Sequence, residues 1–373
     1  MNTMNTMNTM NTTGATKRLD QKIARIREGR ATAADFIIAD AKDADMAFGI
    51  TAPGPAPTAC AWGRDARFCH TESAAACWKT LADYRAQIRE VIAQDIVDIM
   101  LLSASNLEHL AMRGRLFENS AITPAARAND TTDIWAVRGG KYATHPSRAF
   151  RTASLDHIKY GRLPAPGETR DYTAPATGAD LGLYSITFTN NIDWDYYALE
   201  AFHAFRHEAE QKRFRYFLEV FNPNVNPAIP DRTVAAFLND HIVRTLAGVT
   251  DVGRPLFLKI PYNGPGPLEE LVAYDPGVIV GILGGGAGTT LDAFQLIHDA
   301  QKYGARVALF GRKINLSEHP LTFIQYLRRI TDGVIAPAEA VKAYHADLDH
   351  LGIKPQRHLS ADLRQTTTPQ SYR

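Results

Sequence analysis

Short apolar runs alternate with longer amphipathic stretches from about residue 36 to residue 330, and this alternation limits the possible folds more than any other feature. The strand candidates are Phe36–Ala41, Val97–Ser103, Asp133–Arg138, Leu181–Asn190, Tyr216–Asn222, Leu256–Tyr262, Val278–Gly284 and Val307–Gly311. Several are apolar almost throughout, as strands covered on both faces must be. Helical patterns fall at Leu81–Gln94, Leu107–Phe117, Tyr196–Arg213, Thr233–Ala247, Pro267–Tyr274, Leu291–Tyr303 and Pro320–Ile330. Eight strands with helical crossovers predict an α/β fold, a (β/α)8 TIM barrel. A doubly wound open sheet is the competing arrangement, and the lack of a Gly-x-Gly-x-x-Gly opening an early helix disfavours it.

The 373 residues divide into three parts on this reading. Residues 1–17 are a low-complexity tail, Met-Asn-Thr taken four times and a polar remainder, with no apolar face to bury. Residues 18–352 form a single barrel, and the polar segment 353–373 is read as a flexible C-terminal tail. A Pro-, Gly- and Thr-rich stretch at about 139–179 is read as an insertion after the third strand, either a lid, a subunit contact or a passive excursion. A net charge of +1 gives no strong field, so neither nucleic acid nor an anionic membrane is an expected partner. No apolar run reaches the length of a membrane span, and the N-terminus lacks a signal-peptide core. A soluble, cytoplasmic protein is expected. Cys60, Cys69 and Cys77 suggest no disulfide framework, and their spacing fits no common zinc pattern.

Chemistry in such a barrel gathers at the C-terminal ends of the strands, on side chains that point inward. On the sixth strand, Phe257, Lys259 and Pro261 share one face. Burial favours the neutral form of an amine, and a neutral amine is a nucleophile that forms a Schiff base with a carbonyl. The alternative is a structural lysine that snorkels or pairs with a buried acid. On the fifth strand, Phe217, Glu219 and Phe221 share a face, and an acid among aromatics suits proton shuttling. The first strand ends with Asp40 and Lys42 at the same parity, while Asp43 and Asp45 are read as solvated or capping. Gly284-Gly285-Gly286 leaves the seventh strand and enters a helix, where backbone amides favour an anion. Gly311 and Arg312 end the eighth strand, and barrels often bind phosphate between these two loops. His203 and His207 have metal-ligand spacing on a helix but are read as part of a solvated face, and no metal is expected.

Over Leu256–Pro320 a strand with lysine, a Gly-Gly-Gly turn, a helix ending Tyr303-Gly304-Ala305 and the run Val307-Ala-Leu-Phe-Gly-Arg312 follow one another. This order resembles the class I, Schiff-base aldolase superfamily, in the branch of archaeal-type fructose-bisphosphate and tagatose-bisphosphate aldolases. Ala39-Asp40-Ala41-Lys42 resembles the first-strand Ala-Asp-Gln-Lys/Arg motif of that branch. The resemblance covers about residues 205–330, is thinner over 35–135, and is absent from the tails and from 139–179. It implies that Lys259 forms the Schiff base and that Asp40 assists around the C–C bond. It implies that Gly285, Gly286, Gly311 and Arg312 hold a substrate phosphate, with Gly284 and Lys42 beside them. Archaeal-type fructose-bisphosphate aldolases use a tyrosine on the fifth strand where this chain has Phe221, and the tagatose type uses a glutamate, here Glu219. The lysine that the tagatose type has on its fourth strand is missing from Leu181-Gly-Leu-Tyr-Ser-Ile186.

The resemblance thus implies a homo-oligomeric aldolase or lyase that needs no cofactor and acts on a phosphorylated ketose or related oxo compound. Acyl or aldol transfer on the same barrel, and a non-catalytic barrel that binds sugar phosphate, are the alternatives.

Overall fold

The computed structural model describes residues 16–56, 78–286 and 288–367. Eight parallel strands close into a barrel: β1 (Ile37–Lys42), β2 (Ile99–Leu102), β3 (Thr123–Arg127), β4 (Leu181–Thr187), β5 (Arg215–Phe221), β6 (Leu258–Ile260), β7 (Val280–Leu283) and β8 (Val307–Phe310). Each strand pairs with its neighbours in the sequence order of the barrel, and β8 closes onto β1 with Ile37 opposite Val307. The (β/α)8 barrel is the expected one. The repeat at the N-terminus and all three cysteines lie outside the described residues.

One expected strand is misplaced. Asp133–Arg138 is a short 3-10 turn followed by loop, and the third barrel strand is Thr123–Arg127. That segment is short, with a proline and two alanines, so it carries little strand propensity of its own. Pairing with β2 sets it, with Pro124 opposite Met100. The insertion between β3 and β4 carries a two-stranded hairpin, Asp130–Thr131 against Ala149–Phe150, and a short helix, Leu155–Tyr160.

The surrounding helices are α1 (Arg18–Arg27), α2 (Leu81–Gln94), α3 (Ile192–Gln211), α4 (Val234–Ala247), α5 (Pro265–Tyr274), α6 (Thr290–Lys302), α7 (Pro320–Thr331) and α8 (Pro337–His350). Among the described residues no helix is long and apolar enough to cross a membrane. Two cores result. The larger fills the layer between barrel and helices, and the smaller fills the barrel interior with Ile37, Ile99, Leu181, Phe217, Phe257 and Val307. Helix α1 brings Leu19 and Ile23 into this inner core. Lys22 of α1 forms a buried ion pair with Asp98, 2.9 Å apart, and desolvation lowers its pKa to about 8 despite that partner.

The C-terminal segment, expected to be loose, is tied down over its described length. Asp292, in the first turn of α6, accepts hydrogen bonds from the backbone and hydroxyl of Thr366 (2.9 and 2.6 Å) and of Thr367 (3.0 and 2.8 Å). It also closes a capping box with Thr289. Burial alone would push this carboxyl up, but the hydrogen bonds from these threonines outweigh it and hold the carboxyl well below the usual range. A depressed folded-state pKa gives stability that is present above about pH 4 and fades as the pH falls. Asp292→Ala is expected to cost about 2–4 kcal/mol at neutral pH and much less in acid. Denaturant midpoints at two pH values check this, and an equal loss at both would refute it.

Candidate active site

Lys259 and Glu219 stand opposite each other in the register of β6 and β5. Both strands are apolar on their outer faces, through Leu218, Val220, Leu258 and Ile260, so the alternation of the pleat turns these two polar residues inward. The lysine Nζ lies 2.5 Å from Glu219 Oε1, and the residues are 7% and 1% exposed. One layer below, Phe217 and Phe257 stack with ring centroids 4.6 Å apart and floor the site with hydrocarbon.

Two further strands hold the glutamate in place. Ser185 of β4 donates its hydroxyl to Glu219 Oε2 at 2.7 Å. Its own backbone is fixed by Asn129, whose side chain accepts from Ser185 N at 2.6 Å and donates to Ser185 O at 2.8 Å. Arg127, the last residue of β3, donates from Nε to Asp43 at 2.5 Å and from Nη1 to Ser185 Oγ at 3.2 Å. Its Nη2 lies 3.9 Å from Glu219 Oε2. Burial opposes the charge on this guanidinium, but Asp43, Glu219 and Asp130 around it raise its pKa above the ordinary arginine value. The result is one continuous polar chain from Asp43 through Arg127, Ser185 and Glu219 to Lys259, drawn from five neighbouring strands and loops. The sequence reading assigns no site role to Arg127, Ser185 or Asp43. Arg127 ends the strand that propensity missed, and Asp43, read as solvated or capping, is buried.

Asp40 and Lys42 do not join this chain. The inward residues of β1 are Ile37 and Ala39, with Ala41 packed against the same inner core, so the opposite parity faces the helices. Asp40 and Lys42 form a fully buried pair there, 3.3 Å apart, and Lys42 donates to Asn315, which in turn reaches Tyr84 of α2. Desolvation pushes Asp40 up to about 6 against the opposing charge of Lys42, and it lowers Lys42. This pair braces the barrel wall behind the β8 loop rather than facing the barrel interior.

The glycine loop after β7 packs against the end of β8. A side chain on Gly284 would run into the ring of Phe310 at 2.2 Å, and one on Gly286 would meet the Arg312 guanidinium at 2.7 Å. Gly285 has φ +59°, in the left-handed region that favours glycine. Arg312, solvent-accessible just after Gly311, has no carboxylate within ion-pair distance among the described residues, and desolvation of its guanidinium lowers its pKa from the ordinary arginine value against the opposing charge of Glu219. The start of α6 is not free. Thr289 and Asp292 cap it, and the amide of Thr290 donates to Asp362 at 2.8 Å. An anion at this place therefore meets the glycine backbone and Arg312, not the helix terminus. Lys313 turns away and donates to the carbonyls of Gly288 and Thr289 at 2.6 and 3.1 Å, bracing the loop from outside. His203 and His207 lie on the exposed face of α3.

No protein-family model matches the chain, and no curated protein does. Solved structures do. The fructose-bisphosphate aldolase from Slackia heliotrinireducens aligns with a TM-score of 0.58 at 12% identity, over 88% of this chain and 90% of its own. An archaeal fructose-1,6-bisphosphate aldolase, with its catalytic lysine covalently bound to the carbinolamine intermediate, aligns with a TM-score of 0.55 at 14% identity. That alignment covers 84% of this chain and 100% of the other. A Schiff-base-forming fructose-1,6-bisphosphate aldolase gives 0.54 at 14%, over 84% and 99%. The barrel is thus of the kind these aldolases have, in agreement with the fold that the sequence resemblance implied.

Proposed function

We propose that the chain is a Schiff-base aldolase or lyase that makes or breaks a C–C bond in a phosphorylated ketose or related oxo compound. The observation that carries this reading is the buried contact between Lys259 and Glu219 at the mouth of the barrel. Glu219 takes a proton from the amine across 2.5 Å, and the neutral amine attacks the carbonyl carbon of the substrate. The same carboxyl returns the proton to the carbinolamine oxygen, which leaves as water. The iminium then accepts the electron pair released when the C–C bond breaks, the resulting enamine is protonated, and water frees Lys259. Arg312 and the Gly285–Gly286 backbone suit a phosphate on the substrate. On this reading the enzyme is a homo-oligomer, as the sequence resemblance implies, and cytoplasmic, as the composition leads one to expect.

Incubation with dihydroxyacetone phosphate and borohydride is expected to add the reduced ketose to Lys259, read by intact mass and peptide mapping. No adduct with any phosphorylated ketose or oxo acid, together with loss of activity on chelation, would overturn the reading. Phe221 supports a second one. It ends β5 half-buried on the face of Glu219, with no hydroxyl to offer, so proton transfer there falls to other groups or to an acceptor molecule. Acyl or aldol transfer is that second reading, and product analysis with and without an acceptor separates it from simple cleavage.

A further inference from the structure

The turn that follows β8 has every side chain fixed but one. It is a single short helix, Arg312–Asn315, closed by the amide of Asn315, which donates to Gly311 O at 2.9 Å. Lys313 is spent on the carbonyls of Gly288 and Thr289. Ile314 is fully buried in the outer core, and Asn315 is buried beside it. Arg312 alone is left for a ligand, beside the Gly286 backbone and with the ring of Phe48 centred 6.0 Å from its guanidinium carbon. Two contacts with β1 set where this turn stands. Gly311 lies so close to Ala41 that a Cβ on it would be 2.7 Å from the Ala41 carbonyl oxygen. One residue further along β1, Lys42 donates to the side-chain oxygen of Asn315, whose Nδ2 reaches the Tyr84 hydroxyl at 3.4 Å.

Stability does not account for this lysine. Lys42 and Asp40 are both fully buried, 3.3 Å apart, and no hydrogen bond of good geometry reaches either oxygen of Asp40. Two charges so thinly supported do not repay the loss of their water, and apolar side chains of similar volume would serve the packing as well or better. An apolar pair could not hold the Asn315 amide, because only a donor fixes its oxygen. Asn315 and Arg312 lie three residues apart in one helical turn, so a shift of the first carries the second with it.

Building on the reading that Arg312 holds the substrate phosphate, we infer that Lys42 and Asn315 are the positioning pair for that guanidinium, with Asp40 as the lysine's counter-charge. Neither residue touches the substrate. They set the height and tilt of Arg312 beside the Gly285–Gly286 backbone. A planar fork meets a phosphate along two parallel N–H bonds, so a displacement of about 1 Å costs affinity steeply. The expected phosphate ligand Lys42 thus serves the phosphate at one remove, through Asn315. The effect is selective, because a ketone without a phosphate gains nothing from Arg312.

The test compares half-saturation of borohydride trapping at Lys259 by dihydroxyacetone phosphate and by dihydroxyacetone, on the full chain. The preference for the phosphorylated ketone is expected to fall about tenfold in Asn315→Ala and in Asp40→Leu/Lys42→Met, towards its value in Arg312→Ala. The apolar double variant should keep its denaturant midpoint, which separates positioning from folding and carries the test if Asn315→Ala folds poorly. A merely structural pair would weaken both trapping reactions together and leave their ratio. A ratio unmoved in either folded variant, or no preference in the unaltered protein, overturns the inference. Binding of inorganic phosphate, followed by phosphorus NMR, separates the two levels. A Lys259 adduct with phosphate affinity unmoved in the variants sinks the positioning pair alone. Phosphate binding weakened in both variants, without any adduct, sinks the Schiff-base reading and leaves the pair.

Discussion

Lys259→Met is expected to abolish the borohydride-trapped adduct and to lower kcat by about 10³-fold or more. Methionine keeps the apolar stem and removes the only atom that can attack a carbonyl. Glu219→Gln leaves that atom and removes the proton carrier, so a smaller loss of about 10²–10⁴-fold is expected, with slow trapping still visible. Stability must be read alongside activity. Glu219 is 1% exposed, and removing its lysine leaves a buried carboxylate with one hydrogen bond from Ser185 and no ion pair shorter than the 3.9 Å contact with Arg127. Breaking such a pair from one side costs about 3–5 kcal/mol. The double variant Lys259→Met/Glu219→Gln buries no unpaired charge at these two positions. It should recover much of the lost stability and remain inactive. Recovery of stability without activity separates chemistry from folding, and a Lys259→Met protein that still turns over substrate would end the Schiff-base reading.

The barrel was legible because buried parallel strands leave nearly continuous apolar runs, which β1, β2, β4 and β8 have. Lys259 and Glu219 were legible for a related reason. A charged residue among apolar neighbours of known parity has only one direction to point once the outer face is recognised. The same logic failed at β1. Ile37, Ile38 and Ala39 are apolar on both parities, so the run itself says nothing about which way Asp40 faces. Closure of the barrel onto β8 decides it, and closure is a long-range event. Asp43 lies one residue past the strand, where the pleat no longer predicts direction, and it turns in to meet Arg127. Strand β3 is the clearest case of tertiary override. Thr-Pro-Ala-Ala-Arg has neither period nor propensity, and its strand geometry comes from pairing with β2 on one side and β4 on the other. The apolar residues after it, around Trp135, mimic a strand but form a turn and loop in which Trp135 packs edge-on against Tyr142 and Phe150. The tethering of the C-terminal segment depends on Asp292, some 70 residues upstream of the threonines it binds, and no local signal reports a contact of that kind.

Arg127→Met is expected to destabilise the fold by about 3–5 kcal/mol and to lower kcat as well, although Arg127 touches neither Lys259 nor the Glu219 oxygen that faces it. The loss arises because Asp43 is buried and Arg127 Nε is its charge partner, at 2.5 Å. Asp43→Asn/Arg127→Met should therefore restore more stability than either single change predicts, a coupling that a double-mutant cycle reads directly. Arg127→Lys is not a rescue. An ammonium can serve one of Asp43 or Ser185, whereas the planar guanidinium serves both and still presents a third nitrogen towards Glu219. A purely structural arginine would change stability and leave kcat per folded molecule where it is. A positioning arginine makes a different prediction. Arg127 donates to the Ser185 hydroxyl that donates to Glu219, so kcat should fall about tenfold or more in Arg127→Met with KM little changed. An unmoved kcat, in a variant stable enough to assay, would reduce Arg127 to a structural partner of Asp43 and leave Ser185 as the group that orients Glu219.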